Sequence, residues 1–596
     1  MSRKRIRSRN TAVFSHHAEE IAETARLNIA ALSIVGFVLL ICTRLFFLMV
    51  LQHAFYTALA AGSHTLYEQL FPDRGSVYVQ DSRTGEEFPL AINKDVFTIF
   101  VDTRNIKNEE QATHVVDAFA SVFAYTDEQK TDVFSRINGR DDPYEPIEKD
   151  VEEKIVDTLK EQDLPGVGFV RHAVRFYPET TLAAQTIGFV GKTDDGSDIG
   201  RYGIEGYWQE DLAGSGGFLE ASKSLGGGVI PFATKSFKPA KDGSDILLTL
   251  DRTVQYKACE RMRAAMEEYG ATSASLVILD PKTGAIRAMC SLPDFDPNMY
   301  SKVEDVRAYN NTTIFTPYEP GSIFKPMAMA AALNEEDVTP DTYFYDSGSV
   351  DANCTKPIKN ANDKVYKDST MTGVLENSIN TGMVFVVTKL GKHPFMSYLE
   401  SFGFGVKSGV RLDSEISGTI DSLYVNKNDT IDCYTATASF GQGITVTPLQ
   451  MVSALSAIAN NGTMMKPYIV QEVRHPDGKI DRTTPTISKK VVSQRAASLL
   501  SAMLVRVIDS GQAGAASVPG YYIAGKTGTA QIAGPGGYSD ETNHSFIGFG
   551  PVDDPKFVMI VKFEKPQRAY SVSTAAPVFS DIASFLMDYY HIPPGK

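Results

Sequence analysis

The run "IAALSIVGFVLLICTRLFFLMVL", residues 29–51, constrains this chain more than any other feature. About 20 apolar residues at roughly 1.5 Å each are enough to cross a bilayer core. A helix of this composition has no polar face to turn toward water, so it reads as a transmembrane helix. Arg44 is the one charge inside it. A mid-membrane arginine costs roughly 2.5–3.5 kcal/mol on insertion scales, but Arg44 lies toward the far end, where it can snorkel or meet a partner. Arg3, Lys4, Arg5, Arg7 and Arg9 precede the run. Basic residues stay on the cytoplasmic side, which sends everything after residue 51 outside. The competing reading is a cleaved signal peptide, since Ala58-Leu59-Ala60 resembles a cleavage site. Signal h-regions are about 7–15 residues long, shorter than this run, so an uncleaved anchor is expected.

The rest of the chain, within 596 residues and 43% hydrophobic overall, is large enough for two or three domains. The formal charge of −14 argues against a nucleic-acid surface, because phosphate recognition needs clustered cations. Cys42 falls in the span, and Cys259, Cys290, Cys354 and Cys433 lie in the outside part, where three disulfide pairings are possible. Their spacing matches no zinc pattern. Free thiols are expected, since a chain this long does not depend on covalent staples. Histidines are few and unclustered, so neither a metal nor another cofactor is indicated.

Turn signals at Pro72-Asp73-Arg74-Gly75 and Asp141-Asp142-Pro143 separate short strands and charged helices, one of them expected over 148–162. Gly-rich "LAGSGG" and "SLGGGVI" lead to "FKPAKDGSD", residues 237–245, which reads as a linker. Beyond it Asp251 can cap a helix with Val254, Ala258, Met262, Met266 and Tyr269 on one face. "SLVILD" and "AIRAMCSL" read as strands joined by "PKTG", and "FIGFG" and "KFVMIVKF" as a second pair around "PVDDP". A last helix carries Val578, Ile582, Leu586 and Tyr589. Strands at both ends with helices between imply an α+β domain, an antiparallel sheet covered by helices.

In "YEPGSIFKPM", residues 318–327, Ser322 falls at a helix start and Lys325 one turn later on the same face. A serine becomes nucleophilic when a base stands beside it, and a lysine can be that base if desolvation lowers its pKa. Ile323, Phe324 and Met327 supply apolar surroundings. Taken alone, the pair reads more readily as a capping serine and a surface cation, and it needs company. Ser378-Ile379-Asn380 adds a hydroxyl and an amide able to relay a proton and hold a substrate amide. Lys526-Thr527-Gly528-Thr529 adds a strand edge suited to a carboxylate, with Gly528 allowing close approach. "GYYIAGKT", residues 520–527, also fits the P-loop expression, but bulky Tyr521, Tyr522 and Ile523 fill the loop and no helix can start after it.

Taken in order, S-x-x-K, S-x-N and K-T-G resemble the signature set of penicillin-binding proteins and serine β-lactamases. The flanks "PDFDPN", "EPGSIFKP", "FGQGITVTPLQM", "AGKTGTAQ" and "SFIGFGPVDDP" look like a class B penicillin-binding protein; upstream, "RLFFLMVLQ", "DRGSVY", "RFYP", "IGFVG" and "GIEGYW" resemble that class's anchor and pedestal. The unbroken "AGKTGTAQ" and the C-terminal "PVFSDIASFLMDYYHIPP" look more like the division (septal, FtsI-type) branch than the elongation branch. No appended binding module is expected.

The resemblance implies a cytoplasmic tail (1–28), a transmembrane helix (29–51), a mixed α/β pedestal or dimerisation-like domain (52–240) and a transpeptidase domain with a helical subdomain (245–596). It implies a D,D-transpeptidase that cross-links peptidoglycan stem peptides, inhibited by β-lactams and working with a membrane glycan polymerase and divisome proteins. Ser322 would be the nucleophile and Lys325 the base for acylation. Ser378, Asn380 and Lys526 would shuttle the proton and hold the donor peptide. Lys526, Thr527 and Thr529 would bind its carboxylate beside Gly528, with backbone N–H groups of Ser322 and Thr529 as the oxyanion hole. The rivals are a secreted β-lactamase or carboxypeptidase, which would need no anchor or pedestal, a bifunctional class A enzyme, which would need a glycosyltransferase domain, and a non-catalytic scaffold.

Overall fold

The computed structural model describes residues 32, 34–46, 65–222, 236–534 and 537–596. Residues 34–46 are helical with exposed apolar side chains such as Phe37, Leu39 and Leu40. The remainder of the expected span, including 47–51, lies outside the described residues. Among the described residues no helix is long and apolar enough to cross a membrane. Two units are distinguished, Met1–Phe71 with Gly216–Ala240, and Pro72–Ser215 with Lys241–Lys596. In the first, Gly217–Ser222 pairs antiparallel with both Thr65–Leu70 and Ser236–Lys238. Residues 237–245, expected as a linker, thus begin inside a strand and end at Asp245, the first residue of the strand Asp245–Asp251.

In the second unit the 15-residue strand Glu87–Val101 organises the upstream part. It pairs antiparallel with Val77–Gln80, Glu145–Val151 and Val167–Phe176. Helices Glu109–Phe123 and Asp127–Ile137 cover this sheet with a small core of Ile99, Val115, Phe119, Val133, Ile137 and Val156. The second of these helices starts with a reciprocal capping box between Thr126 and Gln129. The helix expected over 148–162 begins only at Glu153, because Glu145–Val151 is drawn into the sheet as a half-exposed strand. Val77–Gln80 runs parallel to Asp245–Asp251, which joins the upstream and downstream parts in one sheet.

Within the upstream part, beside Val77–Gln80, separate segments are tied together by Glu205, whose side chain is fully buried. Its carboxylate accepts from Arg74 and from Arg175, the latter at 2.7 Å, so "DRGSVY", "RFYP" and "GIEGYW" meet at one point. A buried acid is tolerable only when its charge is met this directly.

Downstream, five antiparallel strands run in the order Ile286–Leu292, Ser273–Leu279, Phe557–Glu564, Gly537–Gly550, Ala524–Gly534. On one face lie helices Arg252–Tyr269 and Ala575–Tyr589; Phe579 of the latter meets Phe546 at 4.5 Å between ring centroids. As expected, Asp251 caps the first, accepting from the Val254 amide at 3.0 Å. On the other face sits Pro448–Ala459, every residue of which is buried. A helix without a polar side belongs in the middle of a core, and here it carries Lys325–Asn334 and Gln494–Asp509 as further layers. The α+β architecture therefore stands as expected.

The expectation of free thiols fails. Cys259 and Cys290 are bonded with Cα atoms 5.6 Å apart, and Cys354 and Cys433 with Cα atoms 4.9 Å apart. Chain length argues about total stability, whereas these bridges answer local needs. The first ties the helix Arg252–Tyr269 to the strand Ile286–Leu292. The second pins a loop between short two-residue strands, Ser349–Val350 and Ile358–Lys359, to the start of helix Cys433–Ala438. Replacing both Cys354 and Cys433 by serine is expected to lower stability by roughly 2–4 kcal/mol in denaturant titration, since the bridge closes a long loop. An unchanged midpoint would mean that the bridge does not form.

Candidate active site

Ser322 lies in a tight 3-10 turn, Gly321–Phe324, and the α-helix proper starts at Lys325. Pro326 occupies the first turn of that helix, where its missing N–H has no intrahelical acceptor to lose. Gly321 adopts φ +58°, and a Cβ there would come within 2.9 Å of the Ala530 Cβ. A Cβ on Gly441 would stand 2.3 Å from the Gly321 carbonyl oxygen, so the "FGQG" backbone supports the serine turn directly. The Gly321 amide donates to the Gly441 carbonyl at 3.0 Å.

Lys325 is fully buried one turn behind the half-exposed Ser322. Its Nζ contacts the Ser378 carbonyl oxygen at 2.6 Å, Asn380 Oδ1 at 2.8 Å and Ser378 Oγ at 3.1 Å. Ser378 Oγ is in turn 3.0 Å from Ser322 Oγ. The hydroxyl of Ser378 thus stands between lysine and serine, and the three groups expected from separate motifs form one hydrogen-bonded chain. Ser378 has φ +54°, a conformation uncommon for a residue with a side chain. The Ile379 amide bonding the Val374 carbonyl at 2.9 Å holds the turn in place. Asn380 opens the helix Asn380–Leu390, and its Nδ2 donates to the Lys359 carbonyl at 3.0 Å. Both ends of the amide are therefore fixed.

The edge strand Ala524–Gly534 faces this cluster. Residues 524–527, which complete the P-loop expression, are extended strand rather than a phosphate loop. Lys526 is buried, with Nζ 3.3 Å from the Thr527 carbonyl. A Cβ at Gly528 would approach Ser545 Oγ to 2.7 Å, Ile323 Cγ2 to 2.9 Å and the Pro320 carbonyl to 3.2 Å. Gly528 is thus what lets strand and serine turn touch. Thr529 is exposed and donates from Oγ1 to Ser571 Oγ at 3.1 Å.

Burial lowers both lysines, because charge is costly away from water. Lys325 is pushed well below the usual lysine range, by burial first and by the Lys526 charge second. Burial alone pushes Lys526 down to about 7.

Three groups near the site carry no sequence motif. His544, cross-strand from Thr529, is buried between Thr542 Oγ1 and Thr574 Oγ1, each at 3.0 Å, and burial pushes it down to about 4. Ser571 meets Thr529 from a loop after the sheet. Glu319 accepts from the Gly443 amide at 3.1 Å and from the Tyr538 hydroxyl at 2.9 Å, joining the serine turn to the hairpin that returns from the edge strand. Burial raises the Glu319 carboxyl.

The family model of the penicillin binding protein transpeptidase domain matches residues 274–584, more than half of the chain. This chain belongs to the penicillin-binding protein transpeptidase family. The penicillin-binding protein dimerisation domain matches residues 69–248 of the same family member. The transpeptidase chain is 32% identical to stage V sporulation protein D of Bacillus subtilis, over 94% of this chain and 84% of that protein. It is 29% identical to penicillin-binding protein PbpB of Mycobacterium tuberculosis (93% and 83%), and 27% identical to a peptidoglycan D,D-transpeptidase FtsI homolog of Mesostigma viride (93% and 94%). Penicillin binding protein 3 of Mycobacterium tuberculosis, solved in complex with aztreonam, superposes with TM-score 0.67 at 26% identity, covering 89% of this chain and 98% of that one. Penicillin binding protein 2X of Streptococcus thermophilus shares the fold, with TM-score 0.74 at 23% identity over 88% and 80%.

Gly528→Ala is expected to cost roughly 1–3 kcal/mol of stability, as for overpacking elsewhere, and to slow labelling by fluorescent penicillin about a hundredfold, because strand and serine turn are forced apart. Labelling at the wild-type rate would show that the two separate without consequence.

Proposed function

We propose that this chain is a membrane-anchored serine D,D-transpeptidase that cross-links peptidoglycan stem peptides through an acyl-enzyme on Ser322. The hydrogen-bonded chain Lys325–Ser378–Ser322 carries the reading. A neutral amine has two hydrogens and one lone pair. The hydrogens satisfy the Ser378 carbonyl and Asn380 Oδ1, which leaves the lone pair facing Ser378 Oγ at 3.1 Å, and that hydroxyl bridges to Ser322 Oγ at 3.0 Å. Ser322 Oγ attacks the carbonyl of a terminal D-Ala-D-Ala, the peptide C–N bond breaks, and the proton that left Ser322 reaches the departing D-Ala amine by way of Lys325, Ser378 and Lys526. An amine of a second stem peptide then attacks the ester, and Ser322 regains its proton. Lys526, Thr527 and Thr529 hold the donor carboxylate. The backbone N–H groups of Ser322 and Thr529 serve as the oxyanion hole, worth roughly 3–4 kcal/mol per donor in acyl-transfer enzymes. β-Lactams enter by the first step and remain.

In this reading residues 1–28 are a cytoplasmic tail, 29–51 the membrane span, 52–240 the pedestal and 245–596 the transpeptidase domain, placed outside the membrane. Relatives named FtsI homolog support work at the division septum, with a glycan polymerase and divisome proteins as partners and Arg44 as a candidate contact. The relative named stage V sporulation protein D favours a second reading, wall synthesis during sporulation. Localising a tagged copy in dividing and sporulating cells separates the two.

Fluorescent penicillin is expected to label wild type and not Ser322→Ala; equal labelling of both would sink the mechanism. The pH dependence follows from the lysines. Acylation needs neutral Lys325, so its rate rises with pH through that residue's lowered pKa and levels off before the range of a free lysine. Carboxylate binding needs charged Lys526, so reversible β-lactam affinity in the unliganded enzyme weakens as pH rises above about 7. Stopped-flow acylation from pH 5 to 10 reads both limbs, and a rate still climbing at the pKa of a free lysine would rule out Lys325 as the base.

A further inference from the structure

Asp346 ends the strand Tyr343–Asp346 and is fully buried, with no cation among its hydrogen-bond partners. A buried carboxylate survives in that state only if donors surround it. Here four do. Oδ1 accepts from the Gly348 amide at 2.9 Å and Thr381 Oγ1 at 2.7 Å, while Oδ2 accepts from Asn360 Nδ2 and the Tyr366 amide, both at 2.8 Å. Burial works to raise its pKa, but the bonds from Thr381, Tyr366, Gly348 and Asn360 outweigh it and hold the group ionised below the usual carboxylate range.

These partners lead into the active site. Asn360 Oδ1 accepts from the Thr381 amide and from Thr381 Oγ1, each at 3.2 Å. The Thr381 amide is one of the first N–H groups of helix Asn380–Leu390, which have no acceptor inside the helix, and Ile379 at its N-cap offers no side-chain cap. Asn360 therefore caps this helix from a loop 20 residues away. One position earlier on both segments, Asn380 Nδ2 donates to the Lys359 carbonyl at 3.0 Å, and Asn380 Oδ1 takes the hydrogen bond from Lys325 at 2.8 Å. Residues 359 and 380, and 360 and 381, are thus two adjacent rungs. The carboxylate of Asp346 grips both members of the second.

We propose that Asp346 is a positioning residue of the transpeptidase: through Asn360 and Thr381 it sets the orientation of the Asn380 amide that holds Lys325 and the donor peptide. This rests on the reading of Ser322 and Asn380 given above. Asp346→Asn keeps the shape and tests the charge. Its NH2 cannot face Asn360 Nδ2 and the Tyr366 amide, both donors, so it must turn toward Gly348 and Thr381, breaking the bond to the Gly348 amide and forcing the Thr381 hydroxyl to accept.

The test is a double-mutant cycle on the acylation rate, using the full-length protein and fluorescent penicillin, with Asp346→Asn, Asn380→Ala and the double variant. Asp346→Asn is expected to slow acylation by roughly tenfold or more, as for the loss of a buried charged hydrogen bond, and the double variant to be no slower than Asn380→Ala. A merely structural role would make the two losses multiply, and that outcome, or a wild-type rate for Asp346→Asn, overturns the assignment. Should Asp346→Asn not fold, Thr381→Val removes the Oγ1 contacts alone and must show the same dependence on Asn380. Ser322→Ala is run alongside. If wild type is not acylated at Ser322, the reading of the nucleophile fails and the assignment falls with it; if it is acylated and the losses multiply, only the assignment fails.

Discussion

A lysine amine withdrawn from water behind a half-open serine is the constraint on which the rest of this structure depends. Lys325 has no carboxylate against it; its contacts are a carbonyl, an amide oxygen and a hydroxyl. A protonated amine in that setting is paid for only by neutral acceptors, so the balance tips toward the uncharged form. Everything near it enforces the withdrawal. The helix Lys325–Asn334 is buried over nearly its whole length, Ile323 and Phe324 are fully covered, and the edge strand closes the front with a second buried lysine. The sheet, the central helix Pro448–Ala459 and the Gly441 backbone can all be viewed as the walls that keep one nitrogen dry.

The same constraint explains the backbone irregularities at the site. Gly321 and Ser378 both take positive φ, and the glycines at 441 and 528 sit where a single added carbon would strike the neighbouring chain. Bringing three separate segments within hydrogen-bond distance of one serine leaves little room for regular structure. Such conformations persist because the buried residues around them, Ile323, Phe324 and Ile379 among them, hold the turns in place.

Much of the site was legible because its chemistry is written in short local patterns. Ser322 and Lys325 are three apart, Ser378 and Asn380 two apart, and Lys526 to Thr529 contiguous. The downstream strands and their capped helices were legible for a similar reason, since period and caps are properties of a short window. What escaped reading acts across distance. Glu319 meets Tyr538 over 219 positions, His544 meets Thr574 over 30, and Asp346 reaches Thr381 over 35 through a loop with no repeating pattern. The strand Glu145–Val151 looked helical because its charges sit on a half-exposed edge, where side-chain pattern says little about pairing. The bridges Cys259–Cys290 and Cys354–Cys433 were misjudged because the need for them arises from local geometry that composition does not carry.

The edge strand Ala524–Gly534 has a consequence of another kind. It pairs with Gly537–Gly550 on one side only, and among the described residues no strand pairs with the other. A half-paired ladder accepts any extended chain, including that of a second copy, and such edges are where sheet proteins begin to stack into aggregates. Here the edge is spared by what it borders: the serine turn crowds it at Gly528, and the exposed Thr529 gives it little grease. An edge that would otherwise be a hazard to solubility is thus guarded by the serine turn that it borders, which leaves no room at Gly528 for a second sheet to stack.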